Sequence, residues 1–410
     1  MTAAHDRSAG QRPAGPDHIL VFIHSLHGGG AERVAADLTA RWAQSGRRVT
    51  LVTQAGPESD AYALHPAVRR VALGTAGASG GGLRGMAANL RRVAALRACL
   101  RRYRPDVVLG MMTTASVLAV LAARGLPCRV IATEHTHPPS QRLAPLWLRL
   151  RRWAYPRADR VVALTGGTAQ WLAEHVPGSR LAVIPNPVHW PLPVAEPRLQ
   201  PPAREAGPML LAVGRLHPDK GFDVLLRAYA QLAPAHPDWR LAILGEGGER
   251  AALQAQAEAL GIADRVDMPG RAGNVGDWYA RADLYVLSSR VEGLSNTLLE
   301  SLASGVAAVA FDCETGPREI VRDGEDGVLV RPVQDPDALA QALSRLMSDP
   351  QARARMAARA VDVRERFAPG RILARWQAVF DEALAGGTPD GDSAQDGGPD
   401  NGHSKNSHPG

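Results

Sequence analysis

The chain has 410 residues, 45% apolar and 21% charged, enough for two or three domains of about 150 residues with sizeable buried cores. Its net charge of +6 hides a split: residues 1–200 carry 25 Arg and Lys against 11 Asp and Glu, residues 201–410 carry 22 against 30, so the halves stand at +14 and −8. No run of about 18 apolar residues is present to predict a transmembrane helix, and the first sixteen residues, with Asp6 and Arg7 among small polar side chains, lack the apolar segment of a secretory signal.

In chain order, residues 1–16 read as a disordered tail. A first unit, 17–190, opens with the apolar strand His18–His24, a glycine triplet (Gly28, Gly29, Gly30), and a helix in which Val34, Leu38 and Trp42 recur every four residues. Further strands are expected at Val49–Thr53, Asp106–Met112, Arg129–Thr133, Asp159–Thr165 and Leu181–Ile184, with helical segments between them. Such alternation predicts a parallel sheet covered on both faces. Eight prolines then fall between Pro185 and Pro208. With fixed φ and no N–H to donate, they make 191–208 a stiff linker.

A second unit over 209–370 repeats the rhythm, with strands at Met209–Val213, Leu241–Leu244, Leu284–Leu287 and Val306–Phe311. The helix after Gly221 places Phe222, Leu225, Leu226, Tyr229 and Leu232 on one face. Two α/β units of similar size joined by a linker imply a cleft between them. A last helix, 371–385, carries Ile372, Trp376, Val379 and Phe380 on one face, and the Gly/Asp/Ser/Pro-rich 386–410 reads as disordered.

Three loops carry chemistry. The glycine triplet lies between the first strand and the first helix, where backbone N–H groups and the helix dipole favour an anion. It is not a dinucleotide fingerprint, because the last glycine of Gly-x-Gly-x-x-Gly is replaced by Arg33 when counted from Gly28, and by Arg250 when counted from Gly245. That argues against a nicotinamide dehydrogenase. In Gly214-Arg215-Leu216-His217-Pro218-Asp219-Lys220-Gly221, two cations five residues apart suit a diphosphate, Arg as a planar fork and Lys as a compact charge. Lys220 stands out because all but two of the 47 basic residues are Arg, the other lysine being Lys405. In the third loop Glu292 precedes a helix, Glu300 lies along it, and the N–H groups of Leu294, Ser295 and Asn296 face an anion.

His24, His27, His135 and His137 form pairs without a third ligand, and Cys99, Cys128 and Cys313 are isolated. Neither a metal site nor a disulfide framework is expected, and a reducing cytoplasm is.

Jointly, the Gly214–Gly221 loop, the Glu292-x7-Glu300 spacing and Asp312-Cys313-Glu314-Thr315-Gly316-Pro317-Arg318-Glu319-Ile320 resemble the retaining glycosyltransferases of family 4. Gly28-Gly29-Gly30-Ala31-Glu32 is similar to the same family's N-terminal loop. The resemblance runs from about His18 to Leu384, with Ser304 and Ala307 standing where the family often has Cys and Pro. It implies an α/β fold of the GT-B type: two Rossmann-like domains facing a central cleft, the acceptor domain first and the nucleotide-sugar domain second, with the C-terminal helix crossing back. The branch it resembles makes bacterial surface polysaccharides and lipid-linked glycans. The implied activity is transfer of a sugar from a nucleotide diphosphate, with UDP the expected nucleotide, to a hydroxyl of a glycan or polyprenyl-diphosphate-linked acceptor, with retention. The rivals are a UDP-sugar epimerase of the same fold and a non-catalytic nucleotide-sugar or glycan-binding subunit.

The roles implied by the resemblance attach to particular residues. Arg215 and Lys220, in the loop that starts at Gly214, would hold the donor diphosphate. Glu300 would accept hydrogen bonds from the ribose, and Glu292 would contact the donor sugar's hydroxyls. The backbone of Leu294, Ser295 and Asn296 would meet phosphates or sugar, Gly29 and Gly30 would close over the phosphate, and Gly270 and Arg271 would flank the base. His135, or His137 two residues on, would orient the sugar or stabilise positive charge at the anomeric carbon. No cofactor or metal is expected, since the two cations take a metal's place.

The basic half suggests an anionic surface as a partner. Over Leu83–Arg104, Arg84, Arg91 and Arg102 share a helix face. Over Gln141–Tyr155, Leu143, Leu146, Trp147, Leu150 and Trp153 form an apolar stripe bordered by Arg142 and Arg149, the pattern of an interfacial helix, unless that stripe packs on the core. Given a lipid-linked acceptor, peripheral attachment to the inner face of the cell membrane is expected. Nucleic acid is not, because aromatics are only 5% and no recognition motif accompanies the charge.

Overall fold

Seven strands, β1 (His18–Ile23), β2 (Arg48–Thr53), β3 (Val68–Ala72), β4 (Val107–Met111), β5 (Arg129–Glu134), β6 (Arg160–Ala163) and β7 (Leu181–Val183), form the first sheet in the computed structural model. Residues 15–77 and 82–386 are described, so the expected tails lie almost wholly outside the described residues. The strand order is β3-β2-β1-β4-β5-β6-β7, and every pairing is parallel. The second unit contributes β8 (Met209–Val213), β9 (Arg240–Leu244), β10 (Val266–Gly270), β11 (Leu284–Leu287), β12 (Ala308–Phe311) and β13 (Gly327–Val330). These pair in parallel in the order β10-β9-β8-β11-β12-β13. β1 and β4 are buried along their whole length, as unbroken apolar runs in a sheet covered on both sides must be. Winding reverses between β1 and β4, and again between β8 and β11. Loops leaving the C-terminal ends of such strands are where open α/β sheets bind ligands.

The strands read from sequence keep their places within two residues. β3, β10 and β13 were not among them, and all three lie at sheet edges.

The last helix, Pro369–Ala385, belongs spatially to the first domain. Ile372, Trp376, Val379, Phe380 and Ala383 pack into a cluster with Ile19, Val21, Leu51 and Val107. Trp42 meets Trp376 edge-on at 5.7 Å and Phe380 at 5.4 Å. With each large apolar side chain contributing about 1.5–3 kcal/mol on burial, this docking is enough to hold the chain end across the domain boundary.

The proline-rich stretch is strapped to the second domain rather than hung between the two. Leu199 N donates to Asn274 Oδ1 at 2.9 Å, Trp278 Nε1 donates to Leu199 O at 3.1 Å, and Arg281 donates to Pro202 O at 2.8 Å. Proline carbonyls still need donors, and Arg281 supplies one to Pro202 while Gly273 N supplies another to Pro197 O at 2.6 Å.

The two basic helices differ in what they expose. On Gly82–Tyr103, Arg84, Arg91 and Arg102 are exposed beside Met86 and Leu90, which are 54% and 64% exposed. The second helix is shorter than expected and starts at Pro145, where a fixed φ suits the first helical position. Trp147, Leu150 and Trp153 pack against the first domain's core. That corrects the interfacial stripe: burying two indole rings inward leaves Arg142, Leu146, Arg149 and Arg152 as the outer face. Among the described residues no helix is long and apolar enough to cross a membrane.

Candidate active site

β8 ends at Val213 and the chain turns at Gly214. A Cβ on Gly245 would lie 1.8 Å from Gly214 O, and one on Gly247 2.1 Å from Leu216 O. The loop after β9 can therefore support the Arg215 loop only because it has no side chains there. A single turn, Pro218–Lys220, closes at Gly221 with φ 61, where a Cβ would meet Ser288 O at 2.1 Å. Ser288 Oγ donates to Lys220 O at 2.9 Å and Arg290 N to Asp219 O at 2.8 Å, tying this loop to the end of β11. From there Lys220 Nζ donates to Glu292 Oε1 at 2.6 Å, an oxygen that also accepts from Ser289 Oγ at 2.6 Å. Glu292 is buried. Arg215 is exposed, and among the described residues no carboxylate pairs with it.

The helix Asn296–Ala303 starts beyond Ser295, whose side chain makes no capping bond, so the N–H groups of Leu294, Ser295 and Asn296 remain available to an anion. Leu294 itself is buried in the second domain's core and offers a ligand only its backbone. One turn further, Glu300 Oε2 accepts from Tyr279 OH at 3.3 Å, while Oε1 accepts from the Arg33 guanidinium of the other domain. The nearby Glu300 charge raises the Arg33 guanidinium still higher. Gly270 O accepts from Gly245 N at 2.9 Å, and the exposed Arg271 is near enough to act electrostatically on Tyr62 across the cleft.

The first domain presents its own loops. Gly29 caps the helix Gly30–Gln44 with no side chain, its carbonyl accepting from Tyr62 OH at 3.3 Å. A Cβ on Gly30 would lie 3.3 Å from Asn296 Nδ2, and Asn186 Nδ2 donates to Asn296 Oδ1 at 2.9 Å. The Glu319 carboxylate accepts from Gly166 N at 2.8 Å and Gly167 N at 3.2 Å, a charged acceptor at a helix N-terminus. The closest glycine approach from one domain to the other is at Gly293, where a Cβ would stand 2.1 Å from His135 O. Gly293→Ala is accordingly expected to hold the cleft open: kcat falls by about tenfold or more, and the radius of gyration from small-angle scattering rises. An unchanged rate would remove this contact from the working conformation.

Beside that contact is a cavity of about 480 Å³ whose lining includes Thr113, Glu134, His135, Gln141, Arg142 and His217. His135 Nε2 lies 3.0 Å from Thr133 Oγ1, and its buried Nδ1 has no hydrogen-bond partner among the described residues. Burial pushes this imidazole down to about 4, so it is uncharged at neutral pH. His137 is buried elsewhere, 3.3 Å from Glu314 Oε1. Burial pushes the Glu134 carboxyl up, against the pull of donors from Tyr155, Gln141 and Thr113. His135 protonation is therefore expected to leave kcat/KM flat from about pH 5.5 to 8. A limb with an apparent pKa near the usual histidine value of about 6.5 that disappears in His135→Gln would contradict this.

Four residues at the cleft were not anticipated as site residues. Arg33 had entered only as the position that breaks a dinucleotide fingerprint. Glu134 and Tyr279 carry no local signal, since the partners that place them, Thr113 and Tyr155 for Glu134 and Glu300 for Tyr279, are each 21 residues away. Glu319 lies in the Asp312–Ile320 segment that carries the family resemblance, and its cross-domain partners are backbone amides, which no sequence pattern specifies. Among the described residues no group of three or more His, Cys, Asp or Glu could hold a metal ion.

A family model described as Glycosyltransferase Family 4 matches residues 28–189, and one described as Glycosyl transferases group 1 matches residues 196–362. Each half of the chain thus carries a glycosyltransferase-family domain. It is 36% identical over 297 residues to an exopolysaccharide phosphotransferase of Streptomyces coelicolor, covering 71% of this chain and 30% of that protein. It is 28% identical over 299 residues to a Campylobacter jejuni α-1,4-N-acetyl-D-galactosaminyltransferase named for a PP-undecaprenol-linked glycan, covering 72% of this chain and 80% of that protein. An uncharacterized glycosyltransferase of Haemophilus influenzae, 32% identical, is matched over 42% of this chain and 48% of its own length. The chain thus spans less than half of two of these relatives. Among solved structures, sucrose-phosphate synthase from Thermosynechococcus elongatus shares the fold with a TM-score of 0.79 at 19% identity, covering 90% of this chain and 99% of that one. Anabaena HepE in complex with UDP does so with a TM-score of 0.70 at 20% identity, covering 89% and 98%.

Proposed function

We propose that the chain transfers a sugar from a nucleoside diphosphate, UDP in the first instance, to a hydroxyl of a glycan or polyprenyl-diphosphate-linked acceptor in cell-surface polysaccharide synthesis, with retention of configuration. The observation that carries this is the convergence at the domain junction of Lys220, Glu292, Glu300 and the start of the 296–303 helix, with the Arg215 backbone in the same loop as Lys220, opposite Gly30 and His135. Support for the donor and acceptor classes comes from the UDP in the HepE complex and the PP-undecaprenol in the Campylobacter relative's name.

Breaking the bond from anomeric carbon to phosphate oxygen builds negative charge on the diphosphate and positive charge on the sugar. Fixed cations aimed at the first lower the barrier. Lys220 and Arg215 supply that field, the part a metal ion plays in other transferases. Glu292 orients the donor sugar through its hydroxyls, and His135 faces the anomeric carbon as a neutral imidazole. The acceptor hydroxyl attacks on the face from which the diphosphate departs, and the departing phosphate oxygen takes its proton. No protein base is then required. The exposed arginine face of the 82–103 helix rests on the anionic inner leaflet of the membrane.

The deciding experiment is a mass-spectrometric screen of UDP-sugars and GDP-mannose with undecaprenyl-diphosphate-linked acceptors, run beside donor-only controls. A product heavier by one hexose or N-acetylhexosamine, its new linkage keeping the donor's anomeric configuration, is expected, along with slow hydrolysis of donor alone. Epimerised donor and no adduct would replace the transferase by an epimerase, and binding without turnover would make the chain a non-catalytic subunit.

A further inference from the structure

The donor site is charge-paired within itself. Lys220 is held by Glu292, and Glu300 is held by Arg33, so both carboxylates proposed to face donor hydroxyls already have cations. The first pair lies inside one domain. The second crosses the cleft, from the first turn of the Gly30–Gln44 helix to the middle of the 296–303 helix. The Arg33 side chain is 40% exposed and that of Glu300 only 9%, so the guanidinium lies on the open side of the carboxylate, where a ribose has to arrive. Glu300 Oε2 is already approached by Tyr279 OH at 3.3 Å. A ribose diol and Arg33 therefore compete for the same oxygen.

We propose that Arg33 changes partner when the donor binds: the ribose hydroxyls displace it from Glu300, and its guanidinium moves to the diphosphate as a third cation beside Arg215 and Lys220. The proposal rests on the nucleotide-sugar reading above and adds a donor-contacting residue to it. Arg33 N bonds to Gly29 O at 3.1 Å, so its side chain starts one turn from Gly30, where a Cβ would lie 3.3 Å from Asn296 Nδ2. Asn296 opens the helix whose free N–H groups face the phosphates. From Glu300 back to that end is four residues, about 6 Å, within the sweep of an arginine side chain.

Charge gives the move its direction. Of the five groups proposed to face the diphosphate, ribose and donor sugar, Arg33, Arg215 and Lys220 against Glu292 and Glu300 sum to one positive charge, and without Arg33 the sum is zero. An Arg–phosphate contact is bidentate and charge-assisted. Because Arg33 belongs to the first domain, the swap also draws that domain onto the donor.

The test is calorimetric titration of the full chain and its Arg33→Ala variant with UDP and with uridine. The variant is expected to bind UDP about 10- to 100-fold more weakly, and uridine at least as tightly as the unaltered protein, because the competitor for Glu300 is gone. Equal weakening for both ligands would make Arg33 a structural support of the ribose site. Tighter binding of both would make it only a block, and either result overturns the swap. Should Arg33→Ala lose the native thermal melt, Arg33→Gln, which keeps the stem without the charge, gives the same readout. If the unaltered protein bound neither ligand, the nucleotide reading would fall and the swap with it.

Discussion

Lys220→Ala is expected to lower kcat by about 10²–10³-fold or more, the loss that follows removal of one fixed donor aimed at developing charge. Lys220 is 24% exposed and its loop is fastened by Ser288 and Arg290, so its ammonium is pre-positioned and pays little reorganisation during reaction. The variant also strands the Glu292 carboxylate, which keeps Ser289 Oγ as a donor but loses its cation. Breaking a fully buried pair costs about 3–5 kcal/mol, and the partial exposure of Lys220 puts the cost here below that range. A lowered melting temperature is expected, and rates should be taken well beneath it. The double variant Lys220→Ala with Glu292→Gln separates the two effects: the uncompensated charge is gone, so the melt recovers and the rate does not. Lys220→Arg keeps the charge but replaces a compact ammonium with a planar fork, and recovers the rate only in part. Activity of Lys220→Ala within tenfold of the unaltered protein would remove this lysine from the diphosphate site.

What the sequence made legible of the fold follows from where burial is complete. β1, β4, β8 and β11 lie inside their sheets, and their unbroken apolar runs could be read directly. β3, β10 and β13 are edges, paired on one side only. Two arginines interrupt β3, Pro269 and Gly270 end β10, and β13 has only four residues. An edge can tolerate all of these, so its signal is weak. The 145–154 helix shows a different limit. Its apolar stripe was visible, but the same pattern serves a membrane or a core, and only the position of the first domain's core decides.

At the site, residues whose backbone geometry is set locally were legible. Gly221 has to be glycine for its left-handed turn and its approach to Ser288, and it frames Lys220. Ser295 precedes a helix, which puts the following amides at an anion's disposal. Contacts made by folding one domain onto the other were not legible. Arg33 with Glu300, Glu319 with the amides of Gly166 and Gly167, and Gly293 beneath His135 join residues 150 or more apart. Nothing in the first member of each pair announces the second.

Glu300→Ala is expected to reduce kcat/KM for the donor by about 10²–10⁴-fold, from two charge-assisted hydrogen bonds to ribose hydroxyls at about 1.5–3 kcal/mol each. The effect is local to the ligand, because Tyr279 OH keeps a second acceptor in Thr297 O at 3.1 Å and the start of the 296–303 helix stays anchored. Size of effect alone does not prove contact with ribose, and deoxy donors supply that proof. The unaltered enzyme should lose activity with 2′-deoxy and 3′-deoxy nucleotide sugars, whereas Glu300→Ala, having no carboxylate to leave unpaired, should barely distinguish them from the ribose donor. The coupling between the two changes measures the contact itself. Glu300→Gln belongs between the extremes, since its amide oxygen still accepts from Tyr279 or a ribose hydroxyl but no longer holds Arg33 by charge. If Glu300→Ala discriminates against deoxyribose as strongly as the unaltered enzyme, another group reads the sugar of the nucleotide and Glu300 serves only to hold Arg33.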